Sequence, residues 1–268
     1  MIATSTGVVV PVLSHSGAGF MVMTPCQNQT VVNRAFTVGP VDVVLDPGHG
    51  GDGEKGAIGP NGLTEAALNL AVALRTKADL EASGVRVALT RTGDYMMTLT
   101  ARTTVVKNLH PRLFVSIHHN ADPDGPHDGP GTETYYQLAS TDSKRLAGLV
   151  WEDVHNKLAQ YKVAWVADTD AGTKYRRGSS GDDYYAVLRQ THGVPSALAE
   201  LSYISDPPEA ALLVRGDVQQ VEADGVALGI LRYLHGTDPG AGFVEPYPRT
   251  DPPPTGEPAP PCVDPPLA

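Results

Sequence analysis

The sequence predicts an α/β protein: a central, mostly parallel sheet flanked by helices, with a small N-terminal β-hairpin module and a Pro-rich C-terminal tail. Three observations carry this. From residue 41 onward, short apolar or β-branched runs alternate with stretches of helical spacing, the order that builds a parallel sheet. Before residue 40 the apolar runs are brief and separated by glycine turns. After Gly236 the periodicity stops, and eleven of the chain's 23 prolines lie beyond it. The boundaries read from these changes are 1–39, 40–236 and 237–268.

Taken in order, Val8 to Leu13, Phe20 to Met23 and Val31-Val32 read as short strands of a module the size of a bacterial SH3-type unit. It is too small to hold a large core alone. Val41 to Leu45 has the composition of a buried strand. The segment from Thr64 to Ser83 places Leu63, Ala67, Leu70, Leu74 and Ala78 on one helical face, and Gly84 stops it. Val85 to Leu89 follows as a strand. Thr98 to Leu109 repeats the helical spacing with Leu99, Thr103, Val106 and Leu109, and Pro111 ends it. Leu113 to Ile117 and Thr132 to Leu138 read as strands, with a helix from Asp142 to Gln160 capped by Thr141 or Asp142. Tyr161 to Asp182 is polar and reads as a long loop beside the site. Ser196 to Ser202 is a strand, and Pro208 to Val214 and Asp217 to His235 are helices. The tail reads as a stiff extended linker without a core.

Composition narrows the function. The chain has 268 residues, 41% of them apolar and 19% charged, enough for a full core. A net charge of −10 argues against nucleic acid as a partner. No apolar run is long enough to span a membrane, and the first residues show no basic and apolar leader. Cys26 and Cys262 are the two cysteines, so any zinc must be held by His and carboxylate.

The stretch Val41-Asp42-Val43-Val44-Leu45-Asp46-Pro47-Gly48-His49-Gly50-Gly51 runs from strand to glycine loop. His49 thereby sits at the carboxyl end of a central strand, where α/β sheets keep their ligand crevices. Gly48-x-Gly50-x-x-Gly53 formally matches the dinucleotide fingerprint. That motif needs a helix at once and an acidic residue ending the next strand. Here a polar loop runs on to Gly62, and the next strand leads into Arg91, so the nucleotide reading fails. His49 is then a metal ligand or a histidine that bonds its own turn. Three more positions stand at element ends: Glu65 in the first turn of the first helix, His118 after Leu113 to Ile117, and Glu200 in the apolar run Ala197-Leu198-Ala199-Glu200-Leu201.

Four ordered segments carry a family resemblance. Leu45 to Gly51, Gly62-Leu63-Thr64-Glu65, Ser116-Ile117-His118-His119-Asn120-Ala121 and Ala199 to Asp206 resemble the motifs of zinc-dependent N-acetylmuramoyl-L-alanine amidases. Leu89-Thr90-Arg91 and Tyr185 to Arg189 look like family segments too, and the likeness covers roughly Val41 to Leu234. It implies a zinc hydrolase of peptidoglycan, with His49, Glu65 and His118 as ligands and Glu200 as the catalytic carboxylate. The chemistry agrees: two imidazoles and a carboxylate bind zinc and leave a position for water. Glu200 can shuttle a proton. Its bland alternative is a structural Glu paired with an Arg.

The family often has a small residue at His119. We assign the ligand role to His118 and expect His119 at the rim or in a hydrogen bond. Tyr203 and Asp206 are mild departures. Arg176, Arg177 and Lys174 are candidates for receiving carboxylates of the stem peptide, against the alternative of a solvated basic cluster. Asn120 is a further substrate-contact candidate. Some members carry an extra helix that blocks the site, and Tyr161 to Asp182 is too polar for one, so an open site is expected. The N-terminal module either binds wall material or packs on the main domain, and packing is the expectation. The resemblance implies a secreted or envelope-located monomer, where two thiols would pair as Cys26–Cys262. The rivals are a zinc peptidase or deacetylase on the same metal logic and a wall-binding protein without catalysis.

Overall fold

Six short strands open the chain: β1 (Ile2–Thr4), β2 (Val9–Val10), β3 (Val12–Ser16), β4 (Gly19–Met23), β5 (Gln29–Val32) and β6 (Ala35–Thr37). The computed structural model describes residues 1–17, 19–247 and 261–268. The six strands form two antiparallel three-stranded sheets, ordered β2-β1-β6 and β3-β4-β5. Ile2, Val8, Val10, Val22 and Val32 bury a small core that includes Tyr95, and Val9 joins a cluster with Val44 and Val105. Packing on the rest of the chain supplies what so small a unit lacks.

The main sheet contains β7 (Val43–Pro47), β8 (Val87–Leu89), β9 (Leu113–Asn120), β11 (Glu133–Tyr136), β13 (Thr173–Lys174) and β14 (Ser196–Tyr203), in the order β13-β11-β14-β9-β7-β8. The four strands β8, β7, β9 and β14 are parallel, while β11 runs antiparallel to β14. A separate hairpin pairs β10 (Gly125–His127) with β12 (Trp165–Ala167). Helices α1 (Glu65–Ala82), α3 (Thr141–Leu158) and α6 (Gly216–His235) cover one face with Leu68, Val72, Leu146, Val150, Val226 and Ile230. Helices α2 (Leu99–Leu109) and α4 (Ala186–Arg189) cover the other with Val105, Val106, Val187 and Leu188, and α5 (Pro207–Leu213) precedes α6.

Capping sets the helix starts. Thr64, Thr98 and Asp206 each accept a backbone N–H three residues on. Ser140, rather than Thr141 or Asp142, caps α3.

Several expectations need correction. The apolar spacing marked the wrong face of α1: Leu74 is 44% exposed, while Ala66, Leu68, Asn69, Val72, Ala73, Thr76 and Leu80 are buried. Leu99 on α2 is likewise 50% exposed, and Arg102 is buried in its place. In both helices the core side carries polar residues with internal partners, which a hydrophobic count passes over. Tyr161 to Asp182 is not simply a loop, since it holds β12 and β13.

The tail is no free linker where it is described. Gly240 and Gly242 press on α3, and Thr173 N–H donates to Gly242 O at 2.7 Å, so residues 241–244 run beside β13. At the far end, Cys262 bonds Cys26 as expected, and Asp264 accepts from Thr24, Asn28 and the Cys26 N–H. The Pro-rich stretch 248–260 lies outside the described residues.

Candidate metal centre

The chain turns sharply after β7. His49 takes φ 59, a left-handed conformation uncommon for a residue with a side chain. Two buried arginines hold this turn from below. Arg91, 0% exposed, donates to Pro47 O, Gly48 O and Ala66 O, and Arg102 donates to Pro47 O and His49 O. Arg102 also pairs with Asp46 at 2.7 Å, and Thr90 and Ser116 donate to the same carboxylate. Burial pushes Asp46 up, but the Arg102 charge and these bonds outweigh it and hold it below the ordinary value. Glycine is required at Gly48, because a Cβ there would lie 2.1 Å from the His118 ring.

Glu65 is the first residue of α1, where the helix N-terminus favours a carboxylate. Its Oε2 accepts the Ala57 N–H at 2.9 Å. Its Oε1 faces His49 Nε2 at 3.2 Å and His118 Nδ1 at 3.0 Å. His49, Glu65 and His118 each bring a ligand atom within 4.8 Å of the others. Parallel pairing of β7 and β9 brings the His49 loop beside His118, which lies on β9 itself, and Gly48 N–H donates to Ile117 O.

Charge follows this geometry. Burial raises Glu65, yet His118 and His49 outweigh it and hold the carboxyl far below its usual range. Burial lowers His118 against the pull of Glu65. His49 is opposed by burial but drawn up to about 9 by Glu54 and Glu65. Its Nδ1 is buried without a hydrogen-bond partner, 3.7 Å from Glu54 Oε1. An ionised carboxylate between two imidazoles is a donor set that fits zinc.

Glu200 lies opposite His118 in the parallel β9–β14 register, and opposite Glu133 on β11. Side chains paired this way share a sheet face. Burial raises the Glu200 carboxyl well above its usual value, helped by Glu65 and Glu133 and opposed by His49. A cleft of about 440 Å³ opens beside His118, walled by Leu99, Ser180, Tyr184, Tyr185 and Leu198. Among the described residues, only β12 and β13 form between α3 and α4, so no helix stands there to cover it.

The substrate-contact candidates are scattered. Lys174 is not part of a surface cluster: it is 0% exposed, 3.4 Å from Glu133 and 3.1 Å from Asp170. Arg176 stacks 3.7 Å from the Tyr184 ring centroid and 4.3 Å from that of Tyr247. Arg177 is exposed and donates to Gly181 O. Asn120 donates to Tyr203 Oη and accepts from Ala121 N–H, so it shapes its own loop. His119 is 2% exposed and hydrogen-bonded inside the protein, not at the rim. Sequence reasoning missed the roles of Arg91 and Arg102, although a buried Asp46 in an apolar strand already required a cation nearby.

Fold and site define a class: an α/β protein with a His/Glu/His cluster at the carboxyl ends of parallel strands. Residues 43–232 match the N-acetylmuramoyl-L-alanine amidase family, and the chain belongs to it. It is 34% identical over 193 residues to Bacillus subtilis YqiI, covering 71% of this chain and 84% of that one. It is 33% identical over 236 residues to the N-acetylmuramoyl-L-alanine amidase LytC of Bacillus subtilis, covering 85% of this chain but 43% of that longer protein. The catalytic domain of the amidase CwlV from Bacillus (Paenibacillus) polymyxa superimposes with a TM-score of 0.60 at 34% identity, over 73% of this chain and 98% of that domain.

Proposed function

We propose that this protein hydrolyses the amide bond between N-acetylmuramic acid and L-alanine in peptidoglycan, with zinc held by His49, Glu65 and His118. The observation that supports it is the convergence of His49 and His118 on one carboxylate oxygen of Glu65, beside Glu200, in a chain of the amidase family. A zinc ion bound there would supply Lewis acidity, polarising the scissile carbonyl and bringing the pKa of water down toward about 7.

The protein's own part is positioning and proton transfer. Glu65 is held ionised and His118 neutral, the forms that offer lone pairs, while His49, drawn up to about 9 by Glu54 and Glu65, sheds a proton to bind. Arg91 and Arg102 fix the backbone that aims His49 at Glu65. Glu200 takes a proton from the attacking water and passes it to the departing L-alanine nitrogen. Burial, which raises its carboxyl, favours the acid half of that transfer. The cleft beside His118, with Tyr184 and Arg189 among its walls, receives the muramyl peptide. The Cys26–Cys262 bond supports a secreted or envelope location. No described helix is long and apolar enough to cross a membrane.

Digestion of purified muropeptides, read by mass spectrometry, tests the proposal. Glycan free of peptide together with intact stem peptides is the expected result. Shortened stems would mean a peptidase, a mass loss of acetyl a deacetylase, and unchanged muropeptides a protein that only binds.

A further inference from the structure

Behind Glu65 runs a line of polar side chains that packing does not require. Glu65 Oε1, the oxygen facing both imidazoles, also accepts from the Asn69 amide and the His119 backbone N–H, each at 3.3 Å. Asn69 lies one turn along α1, so the two side chains meet on one helix face. The Asn69 amide nitrogen donates a second bond to Gly48 O at 3.2 Å, and its oxygen meets His119 Nδ1 at 2.7 Å. With both amide hydrogens directed at Gly48 and Glu65, the oxygen has to face the imidazole, which makes Nδ1 the donor. His119 Nε2 faces both Glu222 oxygens at 3.3 Å, and Ser202 donates to Glu222 Oε1 at 2.9 Å.

Exposure decides how much this arrangement matters. Asn69 and Glu222 are 0% exposed, Ser202 1% and His119 2%. A buried polar group is costly when its bond is lost. Replacing a buried ionic or polar pair with apolar residues of like volume is often neutral or stabilising. The same sheet–helix interface is otherwise ordinary core, with Leu68, Val72, Ala223 and Val226. Stability alone therefore gives no reason for His119 and Glu222 here, whereas orientation does. Asn69 cannot flip while His119 donates to its oxygen, and His119 cannot turn while Glu222 holds Nε2. A flipped Asn69 would set an amide oxygen against Glu65 Oε1 and repel it.

We propose that Asn69 and His119, backed by Glu222, are positioning residues that lock Glu65 with Oε1 aimed between His49 and His118, and so set the affinity of the site for its metal. This rests on the zinc-site reading above. Groups that orient a ligand from behind typically change metal affinity by about 10–100-fold when lost.

The test is zinc affinity of the full chain by chelator competition, with melting of the metal-free protein alongside. The variants are Asn69→Leu and the double change His119→Leu/Glu222→Leu, because His119→Leu alone would strand the Glu222 carboxylate in the core. Both should bind zinc about 10–100-fold more weakly per folded molecule, beyond whatever metal-free melting loses to the buried bonds each change leaves unmade. Their cobalt-loaded forms should show an altered visible spectrum, the sign of a changed coordination geometry. Wild-type zinc affinity in folded Asn69→Leu overturns the positioning role while leaving the zinc site standing. So does a fall in metal-free melting temperature with affinity per folded molecule unchanged. A wild-type chain that binds no zinc sinks the zinc site and this role with it.

Discussion

His49, Glu65 and His118 gather their ligand atoms within 4.8 Å of one another, and so do Glu133, Asp168 and Asp170 on the far side of Glu200. Spacing alone does not tell the two clusters apart. The second already contains a cation: Lys174 Nζ lies between Glu133 and Asp170, fully buried, with Tyr135 and Tyr203 donating to the Glu133 carboxylate. In the first cluster the partners of the carboxylate are imidazoles, which can shed a proton and turn a lone pair to a metal. A lysine ammonium has no lone pair to turn while it stays charged. The same carboxylate crowding is therefore closed in one place by the protein itself and left able to coordinate in the other.

The largest effects should come from breaking the first cluster. Changing His49, Glu65 or His118 to Ala should lower zinc per protein and abolish muropeptide turnover together. Glu200→Gln separates the two readouts, because glutamine keeps the shape but takes no proton. It should retain zinc and melting temperature while losing ~10²–10⁴ in rate. Loss of metal in that variant would instead make Glu200 a ligand, and near-wild-type turnover would remove it from the reaction.

Lys174→Met breaks the second cluster. It leaves Glu133 and Asp170 without their ammonium and should cost about 3–5 kcal/mol of stability, seen as a clear drop in melting temperature. Zinc content of the folded fraction should not change. A fall in zinc content at unchanged melting temperature would mean that the two clusters are coupled, against the separation drawn here.

Placement was legible where it follows from strand order: parallel pairing of β7 and β9 sets His49 and His118 side by side, although His118 lies within β9 rather than after it. Glu65 and Glu200 stood out as carboxylates in capped or apolar settings. Lys174 read as one more basic residue of a polar loop, since nothing local shows that β13 carries it into the sheet beside Glu133. His119 and Glu222 are 103 residues apart, and their pairing exists only once α6 packs against the sheet. The tail failed for the same reason: prolines argue against regular structure but say nothing of a glycine pair lying on α3. The buried face of α1 was misread and that of α2 only half read, with Thr103 and Val106 buried as expected, because Asn69 and Arg102 count as polar until their partners are known.

The disulfide offers a smaller perturbation that should leave the site alone. Cys26 and Cys262 are 236 residues apart, so the bond closes a long loop and ties the tail to the N-terminal strands. Its reduction, or Cys26→Ser/Cys262→Ser, should cost about 2–4 kcal/mol in thermal or denaturant unfolding. Zinc affinity should stay put. A matching loss of zinc would show that the N-terminal strands support the His49 loop through Tyr95 and Gly50, which lie against each other.

The smallest effect belongs to Asp42, four residues before Asp46 on the same stretch of chain. Both aspartates pair with an arginine, but Asp46–Arg102 is buried, with side chains 1% and 3% exposed, while Arg86 opposite Asp42 is 58% exposed. The Arg86 side chain lowers Asp42 to about 2, against a small opposing push from burial and with help from the Arg86 N–H. The folded value lies below the unfolded one, so the pair stabilises above pH about 4 and loses that contribution as pH falls toward 2. Screening at so open a site should hold the gain to less than ~1 kcal/mol. Asp42→Asn should therefore lower the neutral-pH melting temperature only slightly, and the two proteins should converge in acid. Asp46 is depressed as well, so wild type itself should weaken in the same acid range, and Asp42→Asn should trace that fall from a slightly lower start. A neutral-pH loss of several kcal/mol in Asp42→Asn would show that the Arg86 N–H bond sets the β7–β8 register rather than adding a surface charge pair.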